Sequence, residues 1–206
     1  MLRSLEERYQ MWESRDLTLV IILAVVSFIY TTFVGQLGNL LTGIQGLNYL
    51  FIVGHAIFIS FGFLMYEGRR WRLLLQGILA ALLTLTTYLS GAPFDPLSKT
   101  PMIATSFFGD LIFNSIYNYF KKRNRLIWSA ILVAIGYVLM LPVFVTLNMS
   151  LFYRPQALTM YINVYLLLLP VTIIETIVGA VIGNMIYRRV RKEKVLVNNP
   201  NNFPNL

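Results

Sequence analysis

The chain has 206 residues, of which 57% are hydrophobic and 13% charged, with a net charge of +8 and a mean hydropathy of +0.65. An ordinary soluble domain is about 25% charged, so this composition excludes a soluble globular domain and a disordered chain. With no cysteine and one histidine, it also excludes disulfides, thiolate metal sites, a cysteine nucleophile and a two-histidine metal or haem site built by this chain alone.

Residues 1–15 (MLRSLEERYQMWESR) mix charge with Leu2, Leu5, Tyr9 and Trp12. That spacing fits a short interfacial helix on the cytoplasmic side, and a partly ordered tail fits it equally. Six apolar runs follow in residues 16–190, each near the roughly 20 residues that a helix needs to cross a bilayer. They are 17–36, 47–66, 72–90, 102–120, 126–147 and 163–187. None alternates strictly, and all far exceed a transmembrane strand. The expected fold class is therefore all-α, a polytopic bundle of six transmembrane helices. The first run is too long for a signal peptide and lacks a cleavage pattern, so it reads as a retained span. Residues 191–206 read as a cytoplasmic tail, Asn/Pro-rich and disordered at its end.

The basic residues sort by side. Fifteen of the 17 lie in the N-terminal segment, in the second connection or at Arg72 just beyond it, in the fourth connection and in the C-terminal segment, leaving Lys99 and Arg154 on the other side. The positive-inside rule then places both termini in the cytoplasm and the protein in the cell membrane as a multi-pass chain. The basic rim reads as a surface for anionic lipid, not for nucleic acid. Trp12, Tyr66, Trp71, Tyr119, Trp128 and Tyr187 fall near that face as an aromatic belt.

The outer connections differ in character. Residues 37–46 are uncharged and carry Gly38, Gly43 and Gly46, which suits a segment dipping toward the membrane. Residues 91–101 hold three prolines. Residues 148–162 carry Tyr153, Arg154 and Tyr161. These lengths suit a lid over an outward-facing pocket or plain solvent-exposed connectors. Asn148-Met149-Ser150 matches a glycosylation sequon, a match common by chance.

Ionisable groups inside spans are costly and usually face the bundle interior. Three stand out: His55, Asp110 and Glu175. Counting from the outer boundary at 1.5 Å per residue puts His55 and Asp110 about 12 Å deep and Glu175 about 18 Å deep. All three are therefore expected to border one outward-open cavity. Ser106, Asp110, Asn114 and Asn118 recur every four residues, on one side of the fourth span, with Phe107, Leu111 and Ile112 on other faces. In the last span, Gly179 and Gly183 suit close helix packing. Pro142 and Pro170 are expected to kink spans 5 and 6 near the outer side.

The expected substrate-binding set is His55, Ser106, Asp110, Asn114, Tyr153, Arg154, Tyr161, Tyr165 and Glu175. Internal pairing of Asp110 and Glu175 as helix glue fits the same residues. There is no H-E-x-x-H, no G-x-S-x-G and no phosphate-binding loop, so no enzyme, metal or cofactor is expected. An ion-coupled carrier would use Asp110 or Glu175 as its titrating group, and a sensor or scaffold subunit of a membrane complex is a further alternative.

The plan of residues 17–194 resembles the substrate-binding membrane subunits (S components) of energy-coupling factor transporters. The likeness lies in six spans, both termini inside and a long apolar first outer loop. It also lies in Leu97-Ser98-Lys99-Thr100-Pro101 followed by Gly109-Asp110, and in the last span, LLLLPVTIIETIVGAVIGNMIYRRVRK. The resemblance implies uptake of a vitamin-like micronutrient held near the outer half. It also implies a transmembrane coupling subunit and two cytoplasmic ATPases as partners. One departure concerns span 1. Many members carry a small-x-x-x-small pattern there, whereas Ala24 is followed four residues later by Phe28.

Overall fold

The computed structural model describes residues 12–43, 47–87, 93–152 and 155–198. Among them the chain is all-helical. Six helices form the body: α1 (Ser14–Tyr30), α2 (Val53–Met65), α3 (Arg72–Thr84), α4 (Thr100–Lys122), α5 (Leu126–Phe152) and α6 (Pro155–Asn198). A π-helical stretch, Thr31–Gly35, extends α1, and a 3₁₀ turn, Leu47–Phe51, leads into α2. A short helix, Leu37–Thr42, occupies much of the first connection.

Among the described residues, three segments are long and apolar enough to cross a membrane: Ser14–Gly35, Leu126–Phe152 and Gln156–Lys192. α2 and α3 are apolar but only 13 residues each. The sequence places span 3 at 72–90, but the helix ends at Thr84. The connection expected at 148–162 is instead largely helical. α5 continues to Phe152 and α6 begins at Pro155. Pro142 and Pro170 lie inside α5 and α6 without ending them.

The helices close a ring in the order α1, α3, α4, α5, α6, α2, with α2 also touching α5 across the middle. Small residues permit that crossing. Ala56, Ala134 and Ala180, from α2, α5 and α6, are fully buried and form one cluster. On one side of them lies a core of Val20, Leu23, Phe63, Leu64, Tyr117 and Tyr187. On the other lies a second core of Tyr49, Ile52, Val138, Met149 and Tyr161. Outward faces are apolar and bare: Leu167 is 78% exposed and Ile174 63%. Such faces suit lipid, not water.

α6 packs against α2 through glycine. A Cβ on Gly179 would lie 2.5 Å from the Val53 carbonyl oxygen, and one on Gly183 would lie 2.8 Å from that of Ile57. Both glycines step along α2 in the same direction, so the two helices run parallel. Only a residue without a side chain lets the backbones approach this closely.

Candidate functional site

The polar residues inside the bundle fall into two groups at opposite ends of α2. The first lies where the basic turns are. α3 is preceded by Trp71, which sits at φ 70° and offers no side-chain cap of its own. A helix start leaves backbone N–H groups without partners. Asp110 of α4 supplies the acceptor: Oδ1 takes the Trp71 N–H at 3.0 Å, and Oδ2 takes the Leu74 N–H at 2.7 Å. Asn114, one turn along α4, donates its amide to the same carboxylate. Ser106 lies 3.2 Å from the Tyr137 hydroxyl and fills the space that a side chain at Gly77 would need.

A buried ion network adjoins this group. Asp16, one residue before the apolar run of α1, receives Arg69 Nη1 at 2.9 Å and Arg72 Nη2 at 2.9 Å. Arg72 is 3% exposed, and its guanidinium lies 4.4 Å from the centre of the Trp12 ring.

The second group lies at the other end. α2 also starts without its own cap, at Ile52. Glu175 of α6 takes the Ile52 N–H at 3.0 Å. Beside it, the Tyr30 hydroxyl donates to the Phe51 carbonyl at 2.9 Å and accepts from the Gly54 N–H at 3.3 Å. The π-helical stretch that follows Tyr30 brings Thr31 Oγ1 to 2.8 Å from His55 Nε2. The Thr31 hydroxyl proton goes to the Ser27 carbonyl, which leaves the His55 Nε2–H to donate. The edges of Tyr30 and His55 meet at 5.9 Å between ring centres. Further toward the same end, the hydroxyls of Tyr49 and Tyr161 lie 2.7 Å apart. Tyr165 packs on Tyr49 with ring centres 5.2 Å apart. Its hydroxyl is buried and makes no hydrogen bond among the described residues.

This placement corrects the single-cavity expectation. Asp110 is bonded to Trp71 and Leu74, just beyond the C-terminal end of α2, and Glu175 to Ile52 at the N-terminal end. Fourteen residues of helical chain separate Ile52 from Tyr66, a rise of about 20 Å. His55 and Glu175 share the far end, while Ser106, Asp110 and Asn114 belong elsewhere. Tyr153 and Arg154 lie outside the described residues, as do 1–11 and 199–206. Asn118 is exposed, so the four-residue polar stripe of α4 is buried only as far as Asn114.

Other residues differ from their sequence reading. Asn148, the sequon residue, is buried and donates its amide to the Leu97 carbonyl at 2.8 Å and to Thr100 Oγ1 at 3.1 Å. Lys99, placed on the outer side by the charge sorting, is 1% exposed. Burial lowers its ammonium below the usual lysine value against the opposing charge of Asp95. Sequence reasoning passed over Tyr30, Thr31 and Tyr49 because single hydroxyls in apolar runs carry no spacing pattern. A shallow depression of about 520 Å³ lies along Gln156, Thr159, Met160, Asn163 and Val164, and none of the expected site residues line it.

No protein-family model, no curated protein and no solved structure matches this chain.

Proposed function

We propose that the chain is a six-span membrane protein with both termini in the cytoplasm, which binds a small solute at its outer end for uptake. In this reading α2, with the 3₁₀ turn before it, and α3 complete six spans alongside the three long apolar segments and α4. The sorting of basic residues sets the orientation, so the end bearing His55, Glu175 and the three tyrosines faces outward. The chain acts as the substrate-binding subunit of a transporter driven by a coupling subunit and two ATPases, as its resemblance to S components implies.

The observation that supports the solute site is the Tyr49–Tyr161–Tyr165 cluster. Aromatic walls with a few placed polar atoms are the usual lining of small-molecule sites. The Tyr165 hydroxyl is a buried donor and acceptor whose bonding capacity is open to a ligand. Mass spectrometry of small molecules retained by the detergent-purified protein tests this. A retained solute that is lost in Tyr165→Phe supports the reading. No retained solute, and no binding change on Tyr165→Phe, rejects it.

One observation favours a sensor or scaffold role. Both carboxylates inside the bundle are already bonded to helix starts, which leaves fewer polar atoms to contact a solute. Retention of partner proteins without any small molecule would support that alternative.

A further inference from the structure

We propose that the α4–α5 turn and the C-terminal stretch of α6 form one docking surface for the headgroups of anionic phospholipids. This rests on the membrane reading above. Among the described residues, every salt bridge runs from Asp16 or Glu13 to Arg69 or Arg72. The charge of the α2–α3 turn is therefore largely met within the protein. Lys121, Lys122, Arg123 and Arg125 are all exposed, as are Arg188, Arg189, Arg191 and Lys192. Among the described residues, none of these takes part in a salt bridge.

The two basic stretches share an edge. Lys121 Nζ lies 5.7 Å from the centre of the Tyr117 ring. Arg191 Nη1 donates to the Tyr187 hydroxyl at 3.3 Å, and Tyr187 neighbours Tyr117 in the same buried core. Arg123 lies 4.2 Å above Tyr119. Tyr119 is 50% exposed and Trp128 54%, so aromatic rings alternate with cations along this edge. That combination seats at the headgroup level of a bilayer, with rings at the interface and cations against phosphate. Glu67 is an acidic neighbour of Tyr117 and Glu193 follows Lys192 in sequence, and the eight cations outnumber these two. Charge complementarity thus selects an anionic headgroup as the occupant.

The test places the full-length protein in vesicles of phosphatidylcholine, alone or mixed with phosphatidylglycerol. It reads lipid retention by native mass spectrometry and the thermal midpoint. The wild type is expected to retain phosphatidylglycerol preferentially and to unfold at a higher temperature with it, and the preference is expected to fall in high salt. The variant K121Q/K122Q/R123Q/R125Q is expected to lose retention by about fivefold per charge at low salt. Arg69→Gln, which breaks the internal network, is expected to lower the midpoint equally in both lipids. Equal retention of the two lipids by the wild type overturns the proposal and leaves the patch to an acidic protein partner. Failure to insert into phosphatidylcholine overturns the membrane reading itself, and this proposal with it.

Discussion

Glu175 accepts the backbone N–H of Ile52 at 3.0 Å, so a carboxylate on the last helix caps the first turn of the second. A carboxylate at a helix start meets both unpaired N–H groups and the positive end of the helix dipole. Glu175→Ala is expected to destabilise the protein by about 1–2 kcal/mol. Glu175→Gln keeps an acceptor oxygen and is expected to lose less. Unfolding of both variants in detergent checks the order.

Asp110 does the same for α3 and carries more bonds. It takes the N–H groups of Trp71 and Leu74 and the amide of Asn114. Asp110→Ala strands these buried donors and is expected to cost about 2–4 kcal/mol, more than Glu175→Ala. Equal costs for the two would show that burial of the donors does not set the scale.

Neither cap was legible in the sequence, although both carboxylates were. Spacing put Ser106, Asp110 and Asn114 on one face, because that pattern belongs to one helix. The partners are backbone N–H groups of distant helices, which have no residue signature. The missing information was the absence of a local cap: Ile52 and Trp71 cannot cap the helices they begin, so an acceptor has to come from elsewhere. Apolar runs near 20 residues gave the helical body, but the short lengths of α2 and α3 depend on how the bundle closes. Asp110 lies near the middle of α4 and bonds to the start of α3, a contact that spacing within one helix does not carry. Arg72 stands at the first position of the third run, and only tertiary contact with Asp16 shows that it is buried.

The Asp16 network gives a stability prediction. Asp16 meets both Arg69 and Arg72, and Arg72 is 3% exposed. Asp16→Asn is expected to cost about 3 kcal/mol, because it leaves Arg72 buried without its partner charge. Thermal unfolding of wild type and variant in detergent checks the loss.

Gly179 sits 2.5 Å, measured from a notional Cβ, from the Val53 carbonyl oxygen. Because that neighbour is backbone, it cannot rotate away. Gly179→Ala is expected to push α6 off α2 at a cost of about 1–3 kcal/mol. Gly43 lies in open space but at φ 70°, so Gly43→Ala is expected to cost about 1 kcal/mol through backbone strain alone. Thermal unfolding of the pair separates a packing loss from a backbone one.

The proposed outer solute site and the proposed lipid surface both depend on the six helices crossing the bilayer with the basic turns inside. Because the native chain has no cysteine, a single introduced cysteine reports its own position. Phe94, between α3 and α4, is 76% exposed, and Lys122, at the α4–α5 turn, is exposed. In intact cells, a membrane-impermeant thiol reagent is expected to label Phe94→Cys at once and Lys122→Cys only after the membrane is opened. Labelling of Lys122→Cys in intact cells, or of both positions alike, would contradict the six-span orientation.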